Sequence, residues 1–95
     1  MAVFLITYDL NSPGQQHNKI DLALKNVGAF RIMESCWLVE SQKPLFADAI
    51  RNVLMQHLVD LNDILFVTRI YSCDWALWNI HPEAGIWLQD SRRIW

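Results

Sequence analysis

The chain has 95 residues, of which 53% are hydrophobic and 19% are charged, and its formal net charge at pH 7 is −2. A chain of this length encloses one modest core, which excludes a second domain. Acidic side chains slightly outnumber basic ones, so coating of nucleic acid through bulk positive charge is also excluded, and any nucleic-acid contact must be local.

The first predicted element is a central strand over residues 3–8, a nearly continuous apolar run rich in β-branched and aromatic side chains. Residues 9–14 then collect the Asp, Asn, Ser, Pro and Gly residues that favour a turn, which marks a loop able to carry function. The opening apolar run has no basic residue before it and is too short for a signal peptide or a membrane span. The sequence therefore predicts no membrane association and a cytoplasmic location.

A helix and a hairpin are predicted next. Apolar side chains recur at three- and four-residue spacing through residues 16–27, and Gly28 follows as a C-terminal stop. Residues 29–33 and 36–40 are short strand-like runs, close enough to pair as a hairpin. The second run shows little alternation of polar and apolar residues, which predicts another central strand.

A second amphipathic helix is predicted between Leu45 and Leu58, and a last strand over residues 64–70. The order strand, helix, strand, strand, helix, strand predicts an α+β, ferredoxin-like βαββαβ domain over residues 1–70. Its four-stranded antiparallel sheet carries both helices on one face, and its first and third strands are central.

Residues 71–95 are predicted to be a Trp-rich C-terminal tail within the same single domain. One face of the predicted sheet has no helix over it, so its apolar side chains need either this tail or another subunit. Trp75, Trp78 and Trp87 are the candidate interface residues, because five tryptophans supply more aromatic area than so small a core ordinarily buries. A face-to-face homodimer is the simplest solution.

Several segments together resemble one known family. They are Ile6-Thr7-Tyr8-Asp9-Leu10 at the end of strand one, Gly28 after the first helix, Ser35-Cys36-Trp37-Leu38-Val39 in the hairpin, and Asp63 ahead of the last strand. Over residues 3–70 the chain resembles the small CRISPR-associated adaptation proteins of the "Cas-two" family and the related VapD toxins, most of all the stand-alone Cas-two-like members. The resemblance implies a ferredoxin-like homodimer, in a family that includes both metal-dependent nucleases and non-catalytic scaffolds.

The resemblance also implies that Asp9 is the catalytic and metal-binding residue. In the family the matching aspartate faces its symmetry mate across the dimer axis, and the pair is thought to hold a divalent metal. Two carboxylates with water suit Mg²⁺, for which Mn²⁺ can substitute, and such an ion can activate water at a phosphodiester. Asp63 is a further ligand only if the last strand starts near the metal, and otherwise it is a solvated loop residue, which is the favoured interpretation. The structural alternative for Asp9 is an Asx-turn residue that ends the strand.

Four other residues are candidate nucleic-acid contacts. Tyr8 can stack on a base or orient Asp9, and Ser35 matches a family serine that can touch a phosphate. His17, in the loop close to Asp9, is a candidate base or phosphate contact, and Arg31 projects from a sheet edge. Ordinary alternatives remain open: core packing for the tyrosine, turn formation for the serine, a surface position for the histidine and a solvated edge charge for the arginine.

Two functions therefore remain open. One is a dimeric, Mg²⁺-dependent endoribonuclease or endodeoxyribonuclease that acts in antiviral defence or as a toxin of a toxin–antitoxin pair. The other is a non-catalytic homodimeric module that binds a protein through its tail or binds RNA or DNA. Lys19 and Lys25 are the cations of the first predicted helix, where family members that bind nucleic acid usually carry several arginines.

Overall fold

The computed structural model describes residues 2–10, 15–41, 46–57, 63–71 and 75–90. The elements in these ranges are β1 (Ala2–Asp9), α1 (Gln15–Asn26), β2 (Phe30–Met33), β3 (Cys36–Ser41), α2 (Ala47–Met55), β4 (Ile64–Ile70) and α3 (Pro82–Gln89). The α+β class and the four-stranded antiparallel sheet are confirmed. The described part of the chain has three helices instead of the two predicted, because α3 forms within the C-terminal segment.

The strands lie in the order β2-β3-β1-β4, and every neighbouring pair is antiparallel. The central strands are β1 and β3, as their uniformly apolar sequences predict. Phe4 in β1 lies opposite Val39 on one side and Arg69 on the other. Because β1 has a partner strand on both sides, its buried backbone amides and carbonyls find hydrogen-bond partners within the sheet.

The larger core lies between one face of the sheet and the helices α1 and α2. Side chains alternate between the two faces of a strand, and the even-numbered residues of β1 point to this one. The buried members of this core are Ala2, Phe4, Ile6, Tyr8, Leu10, Ile20, Leu24, Trp37, Val39 and Leu54. Gly28 ends the first helical segment with a φ of 79°, a left-handed conformation that glycine adopts without steric cost.

The opposite face of the sheet is partly covered by α3. Leu88 of α3 packs with Val3 and Leu38, and Trp75 and Trp87 contact the same cluster. The Trp87 ring also stacks on Phe30, with 5.9 Å between the ring centroids. This face therefore has its own apolar core, built from strand residues and the C-terminal segment.

His81, the residue before α3, connects this helix to the edge strand β2. Its Nε2 atom lies 3.2 Å from the backbone oxygen of Arg31, and its Nδ1 atom lies 3.2 Å from the Glu83 carboxylate. The pKa of the Glu83 carboxyl lies below its ordinary value, first because the Glu83 backbone amide donates a hydrogen bond to it and second because His81 does. Both partners of the imidazole are acceptors, so only its doubly protonated form donates to both.

Truncation of Leu88 should show how much α3 stabilises the fold. Leu88 is 6% exposed, whereas Ile86 on the same helix is 71% exposed. We expect Leu88→Ala to lower the free energy of unfolding by about 2–5 kcal/mol, because it opens a cavity over the sheet. Ile86→Ala is the matched control and should change it by less than about 0.5 kcal/mol. Urea unfolding followed by circular dichroism measures both, and equal losses would show that α3 does not cover the sheet.

Among the described residues, none of the helices is both long enough and apolar enough to span a membrane.

Candidate functional site

Asp9 is the last residue of β1, and its side chain is exposed. It lies directly opposite Ile64, the first residue of β4. The alternation of side chains along β1 puts Asp9 on the same sheet face as Val3 and Leu5, which is the face that α3 packs against. Val3 pairs with the last residue of β4, so α3 and Asp9 occupy opposite ends of this face.

The end of this face near Asp9 carries uncovered apolar side chains. Phe66 pairs with Thr7 and is 55% exposed, and Ile64 pairs with Asp9 and is 60% exposed. Directly paired residues lie side by side on one face of an antiparallel sheet. We call the surface formed by Thr7, Asp9, Ile64 and Phe66 the open end of the sheet.

Tyr8 points to the opposite face and lies in the larger core. Its hydroxyl donates a hydrogen bond to the Asp21 carboxylate of α1 and accepts one from the Trp37 indole Nε1 at 3.0 Å. Burial raises the pKa of the Tyr8 hydroxyl above its ordinary value, and the hydrogen bond to Asp21 raises it further. With only 5% of its surface exposed, Tyr8 is a packing residue here, which is the structural alternative given above.

Ser35 is brought close to the strand end that carries Asp9. It lies in the turn between β2 and β3 with a φ of 60°, and its backbone oxygen accepts a hydrogen bond from the Tyr8 amide at 3.1 Å. Serine is a common turn former, and its role in this contact is that of a backbone acceptor. The hairpin turn is thus a neighbour of the open end of the sheet.

The structure does not place Arg31 beside Asp9, and for His17 it describes the backbone alone. Arg31 is exposed on the edge strand β2 and pairs with Trp37, so its register position belongs to the face opposite Asp9. His17 was predicted in a loop, but its backbone belongs to α1, which begins at Gln15. The apolar pattern predicts the helix from residue 16, one residue after the observed start, so His17 belongs to the first turn of α1. The His17 side chain lies outside the described part of the structure.

The three candidate interface tryptophans have different environments. Trp75 and Trp87 are partly buried against the sheet of their own chain. Trp78 is 88% exposed, the largest exposure among the large hydrophobic side chains that the structure describes. Of these three, Trp78 alone has most of its ring accessible to a partner molecule.

The fit of Mg²⁺ to this site depends on a second carboxylate. Among the residues that the structure describes, no group of three or more His, Cys, Asp or Glu side chains is placed to hold a metal ion. β4 begins opposite Asp9, so the backbone of Asp63 lies beside the end of β1. Asp63 is partly buried and interacts with other residues of its own chain. Mg²⁺ is commonly bound by one or two carboxylates and several waters, so an exposed Asp9 from each of two copies suits it.

Comparison of the chain with models of known protein families finds no match. The likeness to Cas-two proteins therefore depends on the residues quoted above.

Proposed function

We propose that this protein is a cytoplasmic, ferredoxin-like homodimer of the Cas-two-like kind, in which two Asp9 carboxylates hold Mg²⁺ and promote hydrolysis of nucleic-acid phosphodiesters. The strand order β2-β3-β1-β4 supports the ferredoxin-like topology, because a βαββαβ chain with two crossovers places its first and third strands at the centre. The role is one in antiviral defence or in a toxin–antitoxin pair.

The observation that carries this proposal is the composition of the open end of the sheet. An exposed carboxylate, Asp9, shares this surface with the exposed apolar side chains Ile64 and Phe66. Exposed apolar side chains that lie together favour association, and a twofold dimer uses the same patch on both subunits. A contact between two such patches would bring the two Asp9 side chains towards the dimer axis.

Each Asp9 carboxylate would then act as a hard oxygen ligand or as an acceptor for metal-bound water. The bound cation would lower the pKa of a coordinated water and neutralise charge on the phosphodiester. The oxygen of the attacking water would form a new P–O bond while the bond from phosphorus to the leaving sugar oxygen breaks. The attacking water would lose one proton to the solvent, and the leaving oxygen would take up one from it. None of the four residues that form the open end of the sheet is basic, so the cation would supply positive charge there.

Cleavage assays on Asp9 variants test the proposal. Wild type, Asp9→Ala and Asp9→Asn are incubated with labelled single-stranded RNA and with duplex DNA, in Mg²⁺, in Mn²⁺ and in chelator. We expect cleavage only with metal, and its reduction to background in both variants. Glu83→Ala is the control, because Glu83 is an exposed acid on α3, outside the open end of the sheet, and its loss should leave cleavage intact.

Association is measured separately by analytical ultracentrifugation. Phe66→Glu should convert the dimer to monomer and abolish cleavage while circular dichroism stays native. Undiminished cleavage by folded Asp9→Ala would contradict the proposal, and so would an active monomer.

We also propose a second candidate function, non-catalytic binding of single-stranded nucleic acid, because Trp78 is 88% exposed. An exposed indole offers a stacking surface for bases without sequence preference. Metal-independent RNA binding without cleavage, weakened by Trp78→Ala, would favour this function over the nuclease.

A further inference from the structure

The two edges of the four-stranded sheet are built differently. The edge strand β2 has four residues, and its register with β3 shifts between Arg31 and Met33. The His81 Nε2 atom lies 3.2 Å from the Arg31 backbone oxygen, and the Trp87 ring of α3 stacks on Phe30. A short strand, an irregular register and cover by another element are devices that keep a sheet edge from pairing with another chain.

Among the described residues, the other edge strand, β4, shows none of these devices. It has seven residues and pairs with β1 at every position without a register shift. It contains no proline, glycine or lysine. None of its residues is fully buried, and Phe66 is 55% exposed. A long, regular and apolar edge of this kind is a template for the addition of a further strand.

The outward-facing backbone groups of β4 include those of Leu65 and Val67. The Tyr8 amide donates its hydrogen bond to the Ser35 oxygen, on the β3 side of β1. The N–H and C=O groups of successive residues point to opposite sides of a strand, so Asp9 points to β4 and its partner in β4 points back. By the same alternation, Leu65 and Val67 point away from β1. Neither amide donates to another backbone oxygen of the described residues.

The sequence of β4 is complementary to itself in an antiparallel pairing about Phe66. In this pairing Leu65 lies opposite Val67 of a second copy, so their outward-facing groups can exchange hydrogen bonds. The two Phe66 rings lie opposite each other, and each covers the exposed ring of the other. Asp63 lies opposite Arg69 of the second copy, and the twofold axis repeats this contact. Both side chains also interact within their own chain, and the pairing adds a partner of opposite charge.

We infer that a second copy of this chain pairs along the outer edge of β4, so that two four-stranded sheets join into one continuous antiparallel sheet. The inference goes beyond the proposed function, because the open-end contact joins sheet faces through side chains, whereas this contact joins sheet edges through backbone groups. Asp9 lies on β1, one strand away from this edge, so the edge contact does not depend on the metal site.

Amide hydrogen exchange of the wild type at several protein concentrations tests the inference. We expect the Leu65 and Val67 amides to exchange at least about tenfold more slowly as the copies associate, because pairing turns exposed donors into hydrogen-bonded ones. Val67→Pro removes one outward-facing N–H and leaves the ladder with β1 intact. It should abolish the protection of Leu65 and halve the mass measured by analytical ultracentrifugation. Val67→Ala is the matched control, because it shortens the side chain, keeps the N–H and should associate like the wild type.

Charge reversal tests the register and applies even if Val67→Pro does not fold. Arg69→Glu places like charges opposite each other and should weaken the association about tenfold or more. The double variant Asp63→Arg, Arg69→Glu restores opposite charges and should restore the association. A double variant that associates as weakly as Arg69→Glu would contradict the register.

Three results would overturn the inference. They are exchange of the Leu65 and Val67 amides that does not depend on protein concentration, the wild-type mass in folded Val67→Pro, and protection that is already complete in the monomer. The last result would favour a segment of the same chain on this edge. The same protection in Asp9→Ala as in the wild type keeps the outcome separate from that of the nuclease assay.

Discussion

Replacement of Phe4 by alanine should lower the free energy of unfolding by about 3–5 kcal/mol. Phe4 is 0% exposed and lies on the central strand β1, between Val39 and Arg69 of the flanking strands. Its ring belongs to the larger core that α1 and α2 cover, so truncation leaves a cavity that the sheet cannot close. A small domain is stable by only about 5–15 kcal/mol in total, so this variant should be marginally folded.

Denaturant unfolding followed by circular dichroism measures the loss. Phe46→Ala is the matched control, because Phe46 is 78% exposed and its substitution should cost less than about 0.5 kcal/mol. Phe4→Leu retains most of the buried volume and should cost less than about 1.5 kcal/mol, which keeps the site measurable if the alanine variant does not fold. Equal stabilities of Phe4→Ala and Phe46→Ala would contradict this account of the core.

Removal of the Tyr8 hydroxyl should lower the free energy of unfolding by about 1–3 kcal/mol in Tyr8→Phe. The hydroxyl is the acceptor for the Trp37 indole Nε1 and the donor to the Asp21 carboxylate. Phenylalanine keeps the ring but leaves both of these groups without this partner. Tyr71→Phe is the control, since Tyr71 is 76% exposed.

Tyr8 should also make the protein sensitive to alkali. Burial and the hydrogen bond to Asp21 raise the pKa of Tyr8 in the folded state above that of an unfolded tyrosine, which is about 10. The contribution of the protonated Tyr8 hydroxyl to the free energy of unfolding is therefore complete below about pH 10. It is lost as the pH rises through the folded-state pKa of Tyr8. Tyr8→Phe should remove this part of the alkaline destabilisation.

Tyrosinate absorbance gives a direct test, because the chain has two tyrosines. In Tyr71→Phe, where Tyr8 is the remaining tyrosine, tyrosinate should form only as the protein unfolds in alkali, because the pKa of Tyr8 is raised in the folded state. Ionisation of Tyr8 in the native protein near the unfolded-state pKa of about 10 would contradict its buried position.

The local pattern of the sequence was enough to predict the four strands, the first two helices and the turn at Gly28. It was not enough to predict α3, because apolar residues surround this helix and give no clear period of 3.6. Pro82 and Glu83 in its first turn are helix-start signals that could have found it.

In the candidate site, too, the sequence predicts some features and the tertiary structure alone supplies others. The position of Asp9 at a strand end follows from the apolar run before it and the turn formers after it. Its neighbours Ile64 and Phe66 come from the last strand, and their place beside it depends on the pairing of β1 with β4. The Tyr8 network joins residues 13 and 29 positions apart, which no local pattern connects.

The sequence by itself determined the four strands and the first two helices, and which strands lie at the centre, because hydrophobic spacing and turn chemistry act between near neighbours in the chain. Only the tertiary structure decided that Trp87 is partly buried while Trp78 is exposed, that Tyr8 packs inward, and that Val27 and Val53 line an open cleft between α1 and α2. These outcomes depend on the distances between packed elements. Such distances are set by contacts among residues far apart in the chain, and a one-dimensional pattern does not contain them.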